Sequence, residues 1–260
     1  MGADGRRGAA RGAIGPATVI ARTSSMRVER RSLLEGATGA RGTVVVIDVL
    51  RAFSCSALMF HYGVRDIVLV RTPEEALAFR DRDPDYLVAG EVKGVKVRGF
   101  DLGNSPADMV SKGETFFRNR RVAVRSSAGT QGVLAAAARA DQVILGSYMT
   151  AAAIARYIQS AGAPDAMVTI VAMGFEGIKT SVEDERCGDY IEHLLRGAPY
   201  DHLAAMWECL NDPDIATSLR GEHDYRPKED IVLALQRDLF DFAMVGRLEG
   251  EHVRVTRVDV

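Results

Sequence analysis

Cysteine is scarce in this chain: Cys55, Cys187 and Cys209 are the only three among 260 residues, and no two form a C-x-x-C pair. An odd, unpaired set argues against a disulfide framework and for a reducing, cytoplasmic setting. No apolar run reaches the roughly 20 residues that a membrane-spanning helix needs. The stretch from Thr43 to Leu50 is short and carries Asp48. An excess of one charge is also missing. The 33 basic and 35 acidic side chains leave a net charge of -2, so no global field favours nucleic acid or an anionic membrane, and any anion specificity has to be local. Histidine and cysteine never cluster at zinc spacing, no Gly-Lys-Ser/Thr completes a phosphate loop, and no repeat of fixed period runs through the chain.

What remains has the composition of an ordinary globular protein, with 47% hydrophobic and 26% charged residues. Residues 1–25 are the exception, rich in Gly, Ala and Arg without hydrophobic periodicity. They read as a disordered extension rather than a transit peptide, with Met26 as an alternative start, and residues 26–260 form the folded part. From Thr43 the pattern changes. Val44-Val45-Val46-Ile47 reads as a strand buried on both faces. Phe53, Ala57, Phe60 and His61 then follow at helical spacing before Gly63. Strands are expected at Asp66–Val70, Tyr86–Gly90, Arg121–Ser126, Gln142–Gly146 and Met167–Met173, alternating with helices such as Pro73–Arg82. Helices are expected over Glu183–Arg196, Tyr200–Leu210 and Lys228–Phe242, and a last strand over His252–Val258. This alternation predicts an α/β fold, a mainly parallel sheet flanked by helices in two intimate lobes with the site in the cleft between them, and a split near residues 147–161.

Ligands of such sheets sit beyond the carboxyl ends of the strands, and the residues there are polar. The strand ends deliver Asp48 with Arg51 one turn on, Gly90-Glu91, the turn Ser126-Ser127-Ala128-Gly129-Thr130 at a helix start, and Gly174-Phe175-Glu176-Gly177 with Ser181 to Asp184 behind it. The hydroxyl-rich turn can hold a phosphate on the positive end of its helix. Asp101 and Asn104, in Gly99-Phe100-Asp101-Leu102-Gly103-Asn104-Ser105-Pro106, offer hard oxygen ligands suited to Mg²⁺. Each has a plainer reading. Ser105 with Pro106, and Ser181 with Asp184, fit helix caps. Asp48 could pair with Arg51. Cys187, Trp207 and the methionines read as core, and His193 and His202 as packing residues.

The strings Asp48-Val49-Leu50-Arg51-Ala52 and Phe100-Asp101-Leu102-Gly103-Asn104-Ser105-Pro106, together with Glu91 to Lys96, Glu176-Gly177 and Ser181 to Cys187, resemble the 2-phosphosulfolactate phosphatase family over Thr43 to Arg196. The resemblance implies a Mg²⁺-dependent hydrolase that releases phosphate from 2-phospho-3-sulfolactate, a step toward coenzyme M. On that reading Asp48, Glu91, Asp101 and Asp184 are the candidates to hold Mg²⁺. Asp48 is also the first nucleophile to test, and Glu176 or Glu183 is the general acid. Arg51, Lys93, Asn104, Ser126, Ser127, Gly129 and Thr130 would bind the substrate. The chain departs from the family pattern at Val92 and Lys93 after Glu91, at Ala128 in the hydroxyl turn, and at Gly188-Asp189 after Cys187. The alternatives are a phosphatase of another 2-phosphocarboxylate and a silent homologue that binds a phosphorylated metabolite. The expected partner is a small phosphorylated acid, with no nucleic acid and no membrane, and homo-oligomerisation is left open.

Overall fold

The computed structural model describes residues 1, 26–161, 166–222 and 225–260; the expected disordered extension lies outside the described residues. In chain order the elements are β1 (Arg27–Ser32), α1 (Leu33–Gly39), β2 (Thr43–Ile47), α2 (Ala52–His61), β3 (Asp66–Leu69), α3 (Pro73–Arg82), β4 (Tyr86–Val92), β5 (Val95–Lys96), α4 (Pro106–Phe117), β6 (Arg121–Arg125), α5 (Gly129–Ala137), β7 (Gln142–Gly146), α6 (Ala151–Ala161), β8 (Met167–Ala172), α7 (Val182–Arg196), α8 (His202–Asn211), α9 (Pro213–Leu219), α10 (Lys228–Ala234), β9 (Phe242–Glu249) and β10 (His252–Asp259). Their local causes are legible. In α3, Thr72 accepts from the Glu75 amide, Pro73 fills the first turn, acids follow at Glu74 and Glu75, and Arg80 and Arg82 close the last turn. The apolar run of β2 is buried throughout from Val44 to Ile47 because β7 and β8 pair with it in parallel on either side.

All ten strands join one sheet in the order β1-β8-β2-β7-β9-β10-β3-β6-β4-β5. It contains two parallel blocks, β1-β8-β2-β7 and β3-β6-β4, sewn together by the antiparallel hairpin β9–β10. Three successive antiparallel pairings make the blocks run in opposite senses. Twist brings them back toward each other: at about 20–25° per strand, the five steps from β2 through β7, β9, β10 and β3 to β6 turn the second block by about 100–125°. The carboxyl ends of β2, β4 and β6 therefore converge on one region instead of lying at opposite edges. Helix α5 spans the join, touching β2, β7, β9, β10 and β3.

One hydrophobic cluster lies between the sheet and α1, α2 and α5, a second beneath α6 and α7, and a third under α3. No helix among the described residues is long and apolar enough to cross a membrane. Two expectations need correction, and one strand lies where none was expected. The helix expected over Lys228–Phe242 stops at Ala234, and Phe242 opens β9, because Asp238 takes a left-handed φ of 55° and the following residues pair with β7 and β10. The charged segment Arg27–Ser32, which shows no strand alternation, is an edge strand held by β8. Trp207, read as core, is 70% exposed on α8.

Candidate active site

An open cleft lies where the strand ends converge. Of the expected residues, Asp48, Arg51, Glu91, Asn104, Ser127 and Glu176 line it. Sequence reasoning missed Tyr225 and Arg226, which also line it.

Asp48 leaves the end of β2 and is 5% exposed. Its Oδ1 accepts from the Ala52 amide at 3.0 Å and its Oδ2 from the Gly129 amide at 2.8 Å, so one carboxylate caps the starts of α2 and α5 together. Gly129 is required by this approach, since a Cβ there would lie 2.5 Å from Asp48 Oδ2. Burial pushes the carboxyl up to about 6, a rise that nearby Glu91 adds to and that the two amides and Arg51 partly offset. Glu91 is held just as firmly. Its Oε1 accepts from the Ser127 amide at 2.5 Å, and its Oε2 from the Gly94 amide at 2.6 Å and the Ser127 hydroxyl at 3.1 Å.

The hydroxyl turn is therefore not the phosphate cradle that its sequence suggests. Its amides at Ser127 and Gly129 are taken by the protein's own carboxylates. Ser126 and Thr130 are fully buried and bond to each other: the Thr130 amide donates to Ser126 Oγ at 3.0 Å, and the Ser126 amide to Thr130 Oγ1 at 2.8 Å. The helix start that could bind an anion instead fixes two acids at the cleft wall, each with lone pairs to spare.

Arg51 does not pair with Asp48. Its Nη1 donates to Asp230 Oδ2 at 2.7 Å and to the Tyr225 carbonyl at 2.7 Å. Asp230 Oδ1 in turn accepts from the Ser105 hydroxyl at 2.7 Å and the Ala107 amide at 2.9 Å, tying α10 and the start of α4 to Arg51. Sequence reasoning had no signal for Asp230, because an acid in the first turn of a helix is ordinary. Ser105 does act as the expected cap, accepting from the Asp108 amide at 3.3 Å.

Several candidates lie elsewhere. Asp101 does not line the cleft: its Oδ2 accepts from the Val88 amide at 2.8 Å and stands 3.5 Å from Arg80. Asp184 is buried off the cleft, accepting from the Val49 amide at 2.7 Å and the Gly174 amide at 2.8 Å, so it ties two loops rather than forming a cap pair with Ser181. Burial and the neighbouring Glu183 hold its carboxyl well above the usual range. Glu183, also off the cleft lining, is pushed up to about 7 mainly by burial. Lys93 is exposed, donates its backbone amide to Ser127 Oγ at 2.9 Å and is not among the residues that line the cleft. Cys187 is core, as read, and burial pushes its thiol up, away from nucleophilic use. Among the described residues no three His, Cys, Asp or Glu side chains gather tightly enough to hold a metal on their own.

Comparison with known proteins agrees with the motifs. The family model for 2-phosphosulpholactate phosphatase matches residues 30–248. A probable 2-phosphosulfolactate phosphatase of Bacillus subtilis is 31% identical over 215 residues, covering 82% of this chain and 91% of that protein. One of Caldicellulosiruptor saccharolyticus is 34% identical over 212 residues, covering 76% of this chain and 86% of the relative. One of Deinococcus radiodurans is 39% identical over 152 residues, 58% of this chain and 61% of its own length. A match over most of the fold, with the cleft built from the same strings that carry the resemblance, places this chain in the 2-phosphosulfolactate phosphatase family, a family of phosphoric monoester hydrolases.

Proposed function

We propose that the cleft hydrolyses the phosphomonoester of a small acid, with 2-phospho-3-sulfolactate the substrate favoured by the family, and that it does so with Mg²⁺. The observation that carries this reading is the pairing, in one cleft, of two amide-anchored carboxylates, Asp48 and Glu91, with a buried arginine, Arg51. The balance of charge supports the metal. Asp48, Glu91 and Glu176 line the cleft against Arg51 and Arg226, and Arg51 is already matched by Asp230. A phosphate dianion entering such a cleft needs a further cation.

The donor set fits Mg²⁺ in one form only. A cage of four carboxylates is not assembled, because Asp101 and Asp184 are engaged elsewhere. An ion held by one or two carboxylates and completed by water and substrate phosphate suits Asp48 and Glu91. When bound, Mg²⁺ would neutralise phosphoryl oxygens as charge builds on them. The protein's own contributions are separate. The anchoring amides keep Asp48 and Glu91 from turning, so little reorganisation accompanies reaction. Arg51, fixed by Asp230 and the Tyr225 carbonyl, holds an equatorial phosphoryl oxygen. Glu176, on a tight turn with a left-handed φ of 53°, stands at the cleft wall to give a proton to the departing alkoxide, a role that Glu183 is placed too deep to fill.

The test is hydrolysis of 2-phospho-3-sulfolactate and of a panel of phosphomonoesters with and without Mg²⁺. Turnover is expected only with the ion present. Equal rates after thorough metal removal and in excess chelator would remove Mg²⁺ from the reading, and silence across the whole panel would make the protein a binder of phosphorylated metabolites.

A further inference from the structure

Two buried arginines line the cleft, and their acidic partners differ. Arg51 is matched by Asp230, which is 0% exposed, so that pair is sealed and its charges offset each other at short range. Arg226 is 8% exposed. Its Nε donates to Ser218 Oγ at 2.6 Å, and its Nη2 donates to the Asp214 carbonyl at 2.9 Å and lies 2.9 Å from Asp214 Oδ2. The side chain of Asp214 is 57% exposed, however, so water and salt screen its charge. Arg226 is thus held by three contacts on Nε and Nη2, none of which uses Nη1. It also sits beside Arg51, because the carbonyl of the preceding residue, Tyr225, accepts from Arg51 Nη1. The Tyr225 ring packs close to Gly94 in the β4–β5 turn, where a Cβ would come within 3.1 Å of it.

We infer that Arg226 is the specificity residue of the cleft and reads the second acidic group of the substrate, the carboxylate or sulfonate that accompanies the phosphate. The inference rests on the proposed phosphatase reading of the same cleft. Every phosphomonoester presents a phosphate, which Arg51 and an ion held by Asp48 and Glu91 would place. Only a phosphorylated acid carries a second anion a few bonds away. A guanidinium already fixed through Nε and Nη2 by Ser218 and Asp214 leaves the N–H groups of Nη1 to donate to an oxygen of such a group and loses little side-chain freedom on binding. Arg226 and Asp230 both belong to the stretch after α9, so one segment supplies the discriminating cation and the acid that sets the phosphate-binding arginine.

A matched pair of substrates isolates this role: 2-phospholactate and isopropyl phosphate differ by a carboxylate in place of a methyl group. With Mg²⁺ present, kcat/KM of the wild-type protein should favour 2-phospholactate by about tenfold or more, the scale of one buried charge-assisted contact. Arg226→Gln should erase that preference through KM while changing kcat/KM on isopropyl phosphate less than threefold, and Arg226→Lys should restore part of it. Equal losses on both compounds, or an unchanged preference, would overturn the assignment. Should Arg226→Gln not fold, Ser218→Ala, which frees Nε, is expected to lower the same ratio, and a ratio equal to wild type refutes the inference. Calorimetric titration separates the two readings. A wild-type protein that binds 2-phospholactate preferentially, loses the preference in Arg226→Gln and hydrolyses neither compound keeps the binding role and refutes the hydrolase, whereas hydrolysis of both without preference does the reverse.

Discussion

Asp48 and Asp184 are held in the same way in two neighbouring corners of the molecule. Each is buried, each accepts from two backbone amides, and each has its carboxyl pushed upward by burial. They differ in what lies on the free side. Asp48 lies on the cleft with Arg51 and Glu91, whereas Asp184 is enclosed between the loops that follow β2 and β8. A buried strand-end carboxylate is costly wherever it sits. In one corner that cost keeps two loops in register, and in the other it holds a carboxyl group at the wall of the cleft. Hydrogen-bond counts do not separate a structural carboxylate from a working one; access to the cleft does.

Substitution by asparagine is the most direct way to break the comparison. Asp48→Asn should cut turnover by about a hundredfold or more, the scale of losing one charged catalytic group. It should also cost about 1–3 kcal/mol of stability, since an amide NH₂ now faces a backbone donor. Arg51 keeps Asp230, so the larger cost of an orphaned buried charge is not expected. Steady-state rates per folded molecule and denaturant unfolding on one preparation check both numbers, and wild-type turnover would move Asp48 into the structural class. Asp184→Asn should show the opposite split, with a similar stability loss and turnover per folded molecule within about threefold. A hundredfold fall there, in a folded variant, would erase the distinction between the corners.

The smallest effect concerns Glu183, which sits between the two behaviours with its carboxyl at about 7. Because this value is raised above the ordinary 4.5, folding is favoured by the protonated form. The benefit is complete below about pH 4.5 and is lost as pH rises through 7. Glu183→Gln cannot ionise, so its stability relative to wild type should increase between pH 5 and pH 8 by about 1–2 kcal/mol, less than the full shift because Asp184 shares the titration. Parallel unfolding curves across that range would show that Glu183 is not protonated in the folded state.

How much of this was legible varies residue by residue. The run Val44 to Ile47 ending at Asp48 announced a buried strand with an acid at its tip, and Pro73 and Ser105 announced helix starts that formed as expected. Asp48, Arg51, Glu91, Asn104, Ser127 and Glu176 could be nominated because they follow strands in an alternating pattern, and all reach the cleft. Asp101, nominated for its hard oxygen, and Lys93, nominated through the family resemblance, do not, since a turn's direction depends on what it packs against. Ser126 and Thr130 show the limit of composition: their hydroxyls look like phosphate ligands until the distant Asp48 and Glu91 are seen to occupy the adjoining amides.

The sequence by itself determined the α/β alternation, the central strand and the strings that carry family membership, because each is written in the periodicity or spacing of neighbouring residues. Only the tertiary structure decided that β9 and β10 would join two opposed parallel blocks, that twist would bring their strand ends to one cleft, and that Asp230 and Arg226 would complete it. Asp230 lies 179 positions from the arginine it matches. Contacts across such separations are set by the packing of whole elements, and no local pattern encodes them.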